Sequence, residues 1–122
     1  MAKILIVEDN PDNMKLFRAV LTIRGHPCTG LPGGEALLDT MRAEAPQLVL
    51  LDIQLPGEDG FQLLAKLRAT FKDDLPPEVA LTAHAMSGDE EKALTAGFTG
   101  YLTKPIDVGT FASTVEAFIA PA

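Results

Sequence analysis

A chain of 122 residues is one ordinary domain, long enough to bury roughly two thirds of the surface its unfolded form exposes, so it needs neither disulfide nor metal to fold. Hydrophobic residues at 47% and charged residues at 22% exclude a disordered chain, and a net charge of −7 with scattered Lys and Arg excludes the basic footprint of direct nucleic-acid binding. Cys28 is the only cysteine, so cytoplasm is the expected compartment; the apolar run after Lys3 is too short for a signal-peptide core, and no segment approaches the ~18 apolar residues of a membrane helix.

In chain order, the aliphatic run Ile4 to Val7 predicts a first strand. Asn10 can cap a helix with Pro11 at its first position; Met14, Phe17 and Leu21 fall at helical spacing, and Gly25 can end it. Cys28 to Gly30 is a weaker strand. It lies in HPCTGLPGGEALL, whose Pro and Gly predict a short strand before a helix carrying Ala36, Leu37 and Met41. Leu48 to Leu51 predicts the third strand, Leu64, Leu67 and Phe71 the third helix, and Val79 to Leu81 the fourth strand.

Ser87 to Ala96 is polar and only weakly amphipathic, but Ser87 and Glu90 have the S-x-x-E spacing of a capping box and Gly97 can close the helix. Gly100 to Leu102 predicts the fifth strand, and Phe111, Val115, Phe118 and Ile119 the last helix. Strand and helix alternate five times with uninterrupted aliphatic strands, which predicts an α/β fold: a doubly wound, five-stranded parallel sheet with helices on both faces. With no repeat and no linker, residues 1–122 form a single domain.

LVLLDIQLP, residues 48–56, carries a carboxylate at the end of a strand that reads as buried on both faces. Alone, Asp52 would only cap a turn, Glu8 and Asp9 would complement a helix N-terminus, Thr82 would bond its own backbone and Lys104 would be a solvated charge. In an open parallel sheet, however, the carboxyl ends of the strands share one edge, and ligands bind there. That edge receives Glu8 and Asp9 after strand one, Asp52 after strand three, Thr82 after strand four, and Thr103, Lys104 and Pro105 after strand five. Three carboxylates crowded together cost roughly 1 to 4 kcal/mol per pair at ~4 Å, so the cluster calls for a cation. Hard oxygen ligands with room for water favour Mg²⁺.

ILIVEDNPDN, LVLLDIQLPGEDG, VALTAHAMSGDEE and AGFTGYLTKPI, with their spacing, resemble the receiver domains of two-component response regulators over the whole chain. The style is closest to single-domain receivers and the receivers of hybrid sensor kinases. The resemblance implies strand order 2-1-3-4-5, Asp52 as phosphoacceptor, and Glu8, Asp9 and Asp52 with the backbone carbonyl of Gln54 as Mg²⁺ ligands. It implies Thr82 as switch hydroxyl, Tyr101 as switch aromatic, Lys104 as phosphate contact, and a cis peptide between Lys104 and Pro105. It further implies a signalling switch rather than a dedicated enzyme, self-phosphorylating from small phosphodonors and self-dephosphorylating. Its donor would be a histidine kinase or histidine phosphotransfer protein. With no effector domain expected after the fifth helix, output would pass to a protein bound on helix four, strand five and helix five.

The chemistry agrees, because a carboxylate attacks a phosphoryl group once charge is neutralised and the groups are in line. Two rivals share the topology. A phosphatase forming an aspartyl phosphate usually has a second Asp two residues after the nucleophile, where this chain has Gln54. A flavin carrier needs glycine after strand one, which is absent here. His84 and Gln54 occupy positions that tune dephosphorylation in the family; otherwise His84, like His26, reads as a surface histidine.

Overall fold

A computed structural model describes residues 2–83 and 88–119. Its elements are β1 (Ile4–Val7), α1 (Pro11–Ile23), β2 (Cys28–Leu31), α2 (Leu37–Glu44), β3 (Leu48–Asp52), α3 (Gly60–Phe71), β4 (Glu78–Thr82), α4 (Asp89–Ala96), β5 (Gly100–Thr103) and α5 (Val108–Glu116). Every strand pairing is parallel and the order is β2-β1-β3-β4-β5. This is the expected doubly wound sheet, with its strand order reversing at β1 and β3.

Alternation along the strands decides which helix covers which face, since successive side chains point to opposite sides. Ile4, Ile6, Leu48, Leu50, Val79 and Leu81 meet Phe17 and Leu21 of α1 and Phe111, Ala112 and Val115 of α5. Leu5, Val7, Val49, Leu51 and Ala80 meet Leu37 and Met41 of α2, Leu63, Leu64 and Leu67 of α3, and Ala93 of α4. Each fully buried aliphatic side chain contributes roughly 1.5–3 kcal/mol, against about 0–1 for an exposed ion pair. The apolar alternation therefore dominates the layering. Phe17 and Phe111 stack with ring centroids 5.2 Å apart, docking α1 beside α5.

Local signals set the helix ends. Asn10 Oδ1 accepts N–H bonds from Asp12 at 2.9 Å and Asn13 at 3.1 Å, with Pro11 following it in the first turn. Gly97 closes α4 with φ +109°, a conformation that favours glycine. Asp59 and Gln62 form a reciprocal capping box on α3, at 2.9 and 2.8 Å, which the sequence reading did not assign. The capping role expected of Ser87 lies outside the described residues, as does His84; α4 begins after Gly88.

Four sequence expectations need correction. β2 is as long as β1, so the Pro and Gly residues delay α2 instead, and Ala36 precedes the helix rather than belonging to it. α5 stops at Glu116; Phe118 and Ile119 lie beyond it in tighter turns, bonded to Val115 and Glu116 carbonyls. His26 is not a surface histidine: it is 7% exposed, its Nδ1 accepts the Ala2 N–H at 3.1 Å, and its Nε2 lies 2.7 Å from Glu116. β4 begins one residue early, at Glu78, and buries that carboxylate. Among the described residues no helix is long and apolar enough to cross a membrane.

Candidate functional site

The carboxyl ends of β1 and β3 lie side by side because Val7 pairs with Leu51, so the residues that follow each strand meet. Glu8 and Asp52 are each 1% exposed while Asp9 is exposed, and carboxylate oxygens of the three lie within 4.8 Å of one another. Lys104 reaches this cluster from the end of β5. Its Nζ donates to Glu8 Oε1 at 3.0 Å and to Asp52 Oδ2 at 2.9 Å. It is therefore not the solvated charge it would be in isolation, but the partner of two acids.

Backbone N–H groups complete the setting. The Gln54 N–H donates to Asp52 Oδ1 at 2.8 Å, and the Asn10 N–H to Glu8 Oε2 at 3.2 Å. Gly60 explains how the chain leaves β3: a Cβ there would stand 2.5 Å from Ile53 Cα and 2.7 Å from the Asp52 carbonyl oxygen. The first turn of α3 thus presses on the backbone that carries Asp52.

The electrostatics are those of too few cations. Burial, followed by a hydrogen bond to Asp52, pushes the Glu8 carboxyl up to about 7 against the opposing pull of Lys104 and the Asn10 N–H. Burial by itself would lower the Lys104 ammonium, but hydrogen bonds to Asp52 and Glu8 outweigh it and hold the pKa above its ordinary value. One ammonium bonds the two buried carboxylates, and Asp9 adds a third to an all-oxygen donor set. That set fits a hard divalent cation, and Glu8, Asp9 and Asp52 are a group able to hold one.

Thr82 ends β4, is fully buried, pairs in register with Thr103, and accepts the Lys104 N–H on its carbonyl at 2.7 Å. The Lys104–Pro105 peptide is cis, as expected. Tyr101 stands apart from the acidic cluster. Its half-buried ring packs on the core, and the neighbouring Glu90 carboxylate of α4 holds its phenol above the ordinary pKa. Glu90 had no sequence signal beyond its spacing from Ser87. The Asn10 and Gln54 N–H groups had none, because backbone donors carry no side-chain signature.

Acids, a hydroxyl and a lysine thus meet at one strand edge of a doubly wound α/β fold. Residues 4–116 match the response regulator receiver domain, and the chain belongs to that family, a receiver of two-component signalling. It is 38% identical over 119 residues to the polar-differentiation response regulator DivK of Brucella anthropi, covering 98% of this chain and 97% of that one. It is similar to the receiver domain of sensor histidine kinase PA1611 from Pseudomonas aeruginosa, solved with magnesium coordinated in the active-site cleft. There the identity is 32%, the TM-score 0.85, and coverage 96% of each chain. The BeF3-activated N-terminal receiver domain of Klebsiella pneumoniae RstA matches at 29% identity and TM-score 0.87, covering 98% of this chain and 99% of that one.

Proposed function

We propose that this receiver takes a phosphoryl group onto Asp52 from a histidine kinase or histidine phosphotransfer protein, and that the charge gained there is read by a bound partner protein. The observation that carries the proposal is the placement of Asp52: buried at the end of β3, 2.9 Å from an ammonium and 2.8 Å from a backbone N–H, beside two further carboxylates. A carboxylate so held is positioned to attack phosphorus in line. The P–N bond to the donor imidazole breaks, the imidazole leaves with its electron pair and takes a proton, and Asp52 becomes an acyl phosphate. Water attack on phosphorus later returns the carboxylate and inorganic phosphate.

Mg²⁺, held by Glu8, Asp9, Asp52 and the Gln54 carbonyl, would neutralise charge on the phosphoryl oxygens. Lys104 binds a phosphoryl oxygen in place of a carboxylate, and the Thr82 hydroxyl turns towards the same group. Tyr101 follows Thr82 inward, changing the face of α4, β5 and α5 that meets the downstream partner. Histidine phosphorylation draws on ATP, which places the exchange in the cytoplasm. The relatives support this reading by what they are: a response regulator, a magnesium-bound receiver and a beryllofluoride-activated receiver.

Incubation with Mg²⁺ and a small acyl phosphate should add one base-labile phosphoryl group, detected by intact mass, and Asp52→Asn should lose it. Retention of the group in Asp52→Asn, or its appearance on serine or threonine, would overturn the assignment.

A further inference from the structure

The two ends of α4 are held unequally. Among its described residues only Ala93 is buried. The N-terminal end starts from Gly88, at φ +83° and with no side-chain cap, and the Lys92 N–H bonds the Gly88 carbonyl at 3.1 Å. The C-terminal end is tied in three ways. Arg68 Nη2 of α3 donates to the Gly97 carbonyl at 2.6 Å, the Phe98 ring meets Phe61 of α3 edge-on with centroids 6.1 Å apart, and the Thr99 N–H bonds the Glu78 carbonyl at 2.8 Å. A helix leaves its last carbonyls unpaired and its C-terminus partly negative, and a cation placed there answers both. α4 has no basic residue in its own last turn, so Arg68 supplies that charge from α3. Gly97 makes the room: a Cβ there would stand 2.6 Å from Arg68 Nη2 and 2.7 Å from its Cζ.

We propose that Arg68 is the positioning residue that pins the C-terminal end of α4, so that the helix answers a phosphoryl group on Asp52 as a lever, its N-terminal turn moving while Gly97 serves as the pivot. The proposal rests on the reading of Asp52 as phosphoacceptor and adds the fixed point about which the responding helix moves. A segment opens first where its restraints are fewest, and in α4 that is the Gly88 end. A bond made in both states of a two-state element cannot bias their equilibrium. The pin therefore decides where α4 moves and leaves unchanged how readily Asp52 takes up its ligand.

Amide hydrogen exchange read by NMR separates the two ends. The Lys92 N–H, on the Gly88 carbonyl, reports the N-terminal turn; the Gly97 and Phe98 N–H groups, on the Ala93 carbonyl at 3.2 and 3.0 Å, report the C-terminal one. Arg68→Met keeps the aliphatic stem and removes the donor, and the exposure of Arg68 lets the fold survive the change. A loss of general stability would speed all three amides by one factor, whereas loss of a pin speeds only the two at the C-terminal end.

The test compares wild type and Arg68→Met, with and without Mg²⁺ and the phosphoryl mimic beryllofluoride, and measures beryllofluoride affinity by ¹⁹F NMR. Without the mimic, Arg68→Met should speed exchange at Gly97 and Phe98 roughly three- to tenfold, as for a charge-assisted hydrogen bond at the surface, and leave Lys92 within about twofold. A Glu78→Gln background, which removes the buried carboxyl that feels the Arg68 charge, should show the same pattern. In wild type, beryllofluoride should change exchange at Lys92 by roughly threefold or more, hold Gly97 and Phe98 within about twofold, and bind Arg68→Met with an affinity within about twofold of wild type. If Arg68→Met speeds Gly97 and Phe98 no more than Lys92, the pin is overturned. A wild-type response as large at Gly97 and Phe98 as at Lys92 would overturn the pivot, and a shift in affinity of roughly threefold or more would show a bond made in one state only. A wild-type chain that takes up no beryllofluoride would instead overturn the assignment of Asp52, and the lever with it, while the exchange of Arg68→Met without the mimic still decides the pin.

Discussion

Glu78 opens β4 at the edge of the sheet remote from the acidic cluster, is 3% exposed, and has an Oε2 with no hydrogen-bond partner among the described residues. Burial pushes its carboxyl up to about 7, opposed by the charge of Arg68, whose Nη2 donates to the Gly97 carbonyl at 2.6 Å. A carboxyl raised in the folded state keeps its proton there after the unfolded chain has lost it. Stability therefore falls as pH rises from about 4.5 to about 7, and the penalty is complete above that window. At ~1.4 kcal/mol per pH unit the ceiling is about 3.5 kcal/mol; local hydration and movement of Arg68 bring the expected figure to about 2 kcal/mol.

Glu78→Gln keeps the shape and removes the charge. It should be nearly neutral at pH 5 and stabilising by about 2 kcal/mol at pH 8, which for a chain of this size raises Tm by roughly 6–10 °C. The measurement is thermal unfolding of both proteins at the two pH values without Mg²⁺. Glu8 titrates in the same window, but it sits at the opposite end of the sheet, so its contribution cancels in the difference between variant and wild type. A Tm difference that is the same at both pH values, or negative at pH 8, would refute a burial-driven cost at Glu78.

Lys104→Met removes the ammonium shared by Glu8 and Asp52 and should cost about 2–4 kcal/mol in Mg²⁺-free buffer above pH 7. Mg²⁺ should then raise Tm more in the variant than in wild type, as read by differential scanning fluorimetry; equal Mg²⁺ responses would detach Lys104 from the cation site. Gly60→Ala forces a Cβ against the Ile53 and Asp52 backbone and should destabilise by about 3 kcal/mol while slowing phosphorylation. Gly33→Ala, with nothing within 4 Å of its added Cβ, should cost under about 0.5 kcal/mol in chemical denaturation and leave the rate intact.

The central strands β1, β3 and β4 were legible as aliphatic runs, β2 and β5 only as weaker ones, and most helices carry three or four apolar residues at helical spacing. Even the polar α4 formed where expected, since Ala93 and Gly97 are enough to seat and end it. What escaped were residues whose environment comes from distant chain. Glu78 looks like the polar start of a strand until α3 and Arg68 cover it. His26 looks like a loop residue until Glu116, 90 positions away, comes to 2.7 Å. The acidic cluster was legible for the opposite reason: the carboxyl ends of parallel strands share an edge, so local sequence places Glu8, Asp9 and Asp52 together without knowledge of packing.

The two edges of the sheet therefore carry different charge arrangements. At the carboxyl edge, Glu8, Asp9 and Asp52 outnumber Lys104, and the surplus is one that a bound cation or a phosphoryl group rearranges. At the amino edge, Arg24 and His26 close on Glu116, whose carboxyl the His26 hydrogen bond, despite some burial, and the Arg24 charge hold below its ordinary value. That closed cluster joins the end of α1 to the end of α5, across the same face that Phe17 and Phe111 pack. Across the other face, α4 bears on β5 through Ala93, Phe98 and the Tyr101 ring. A change of charge at Asp52 thus meets one face fixed by aromatic stacking and an ion-pair cluster, and another where the polar α4 bears on β5 through a few apolar side chains. Because a two-state element moves where its restraints are weakest, the response should concentrate in α4 and β5 while α1 and the core of the sheet hold still.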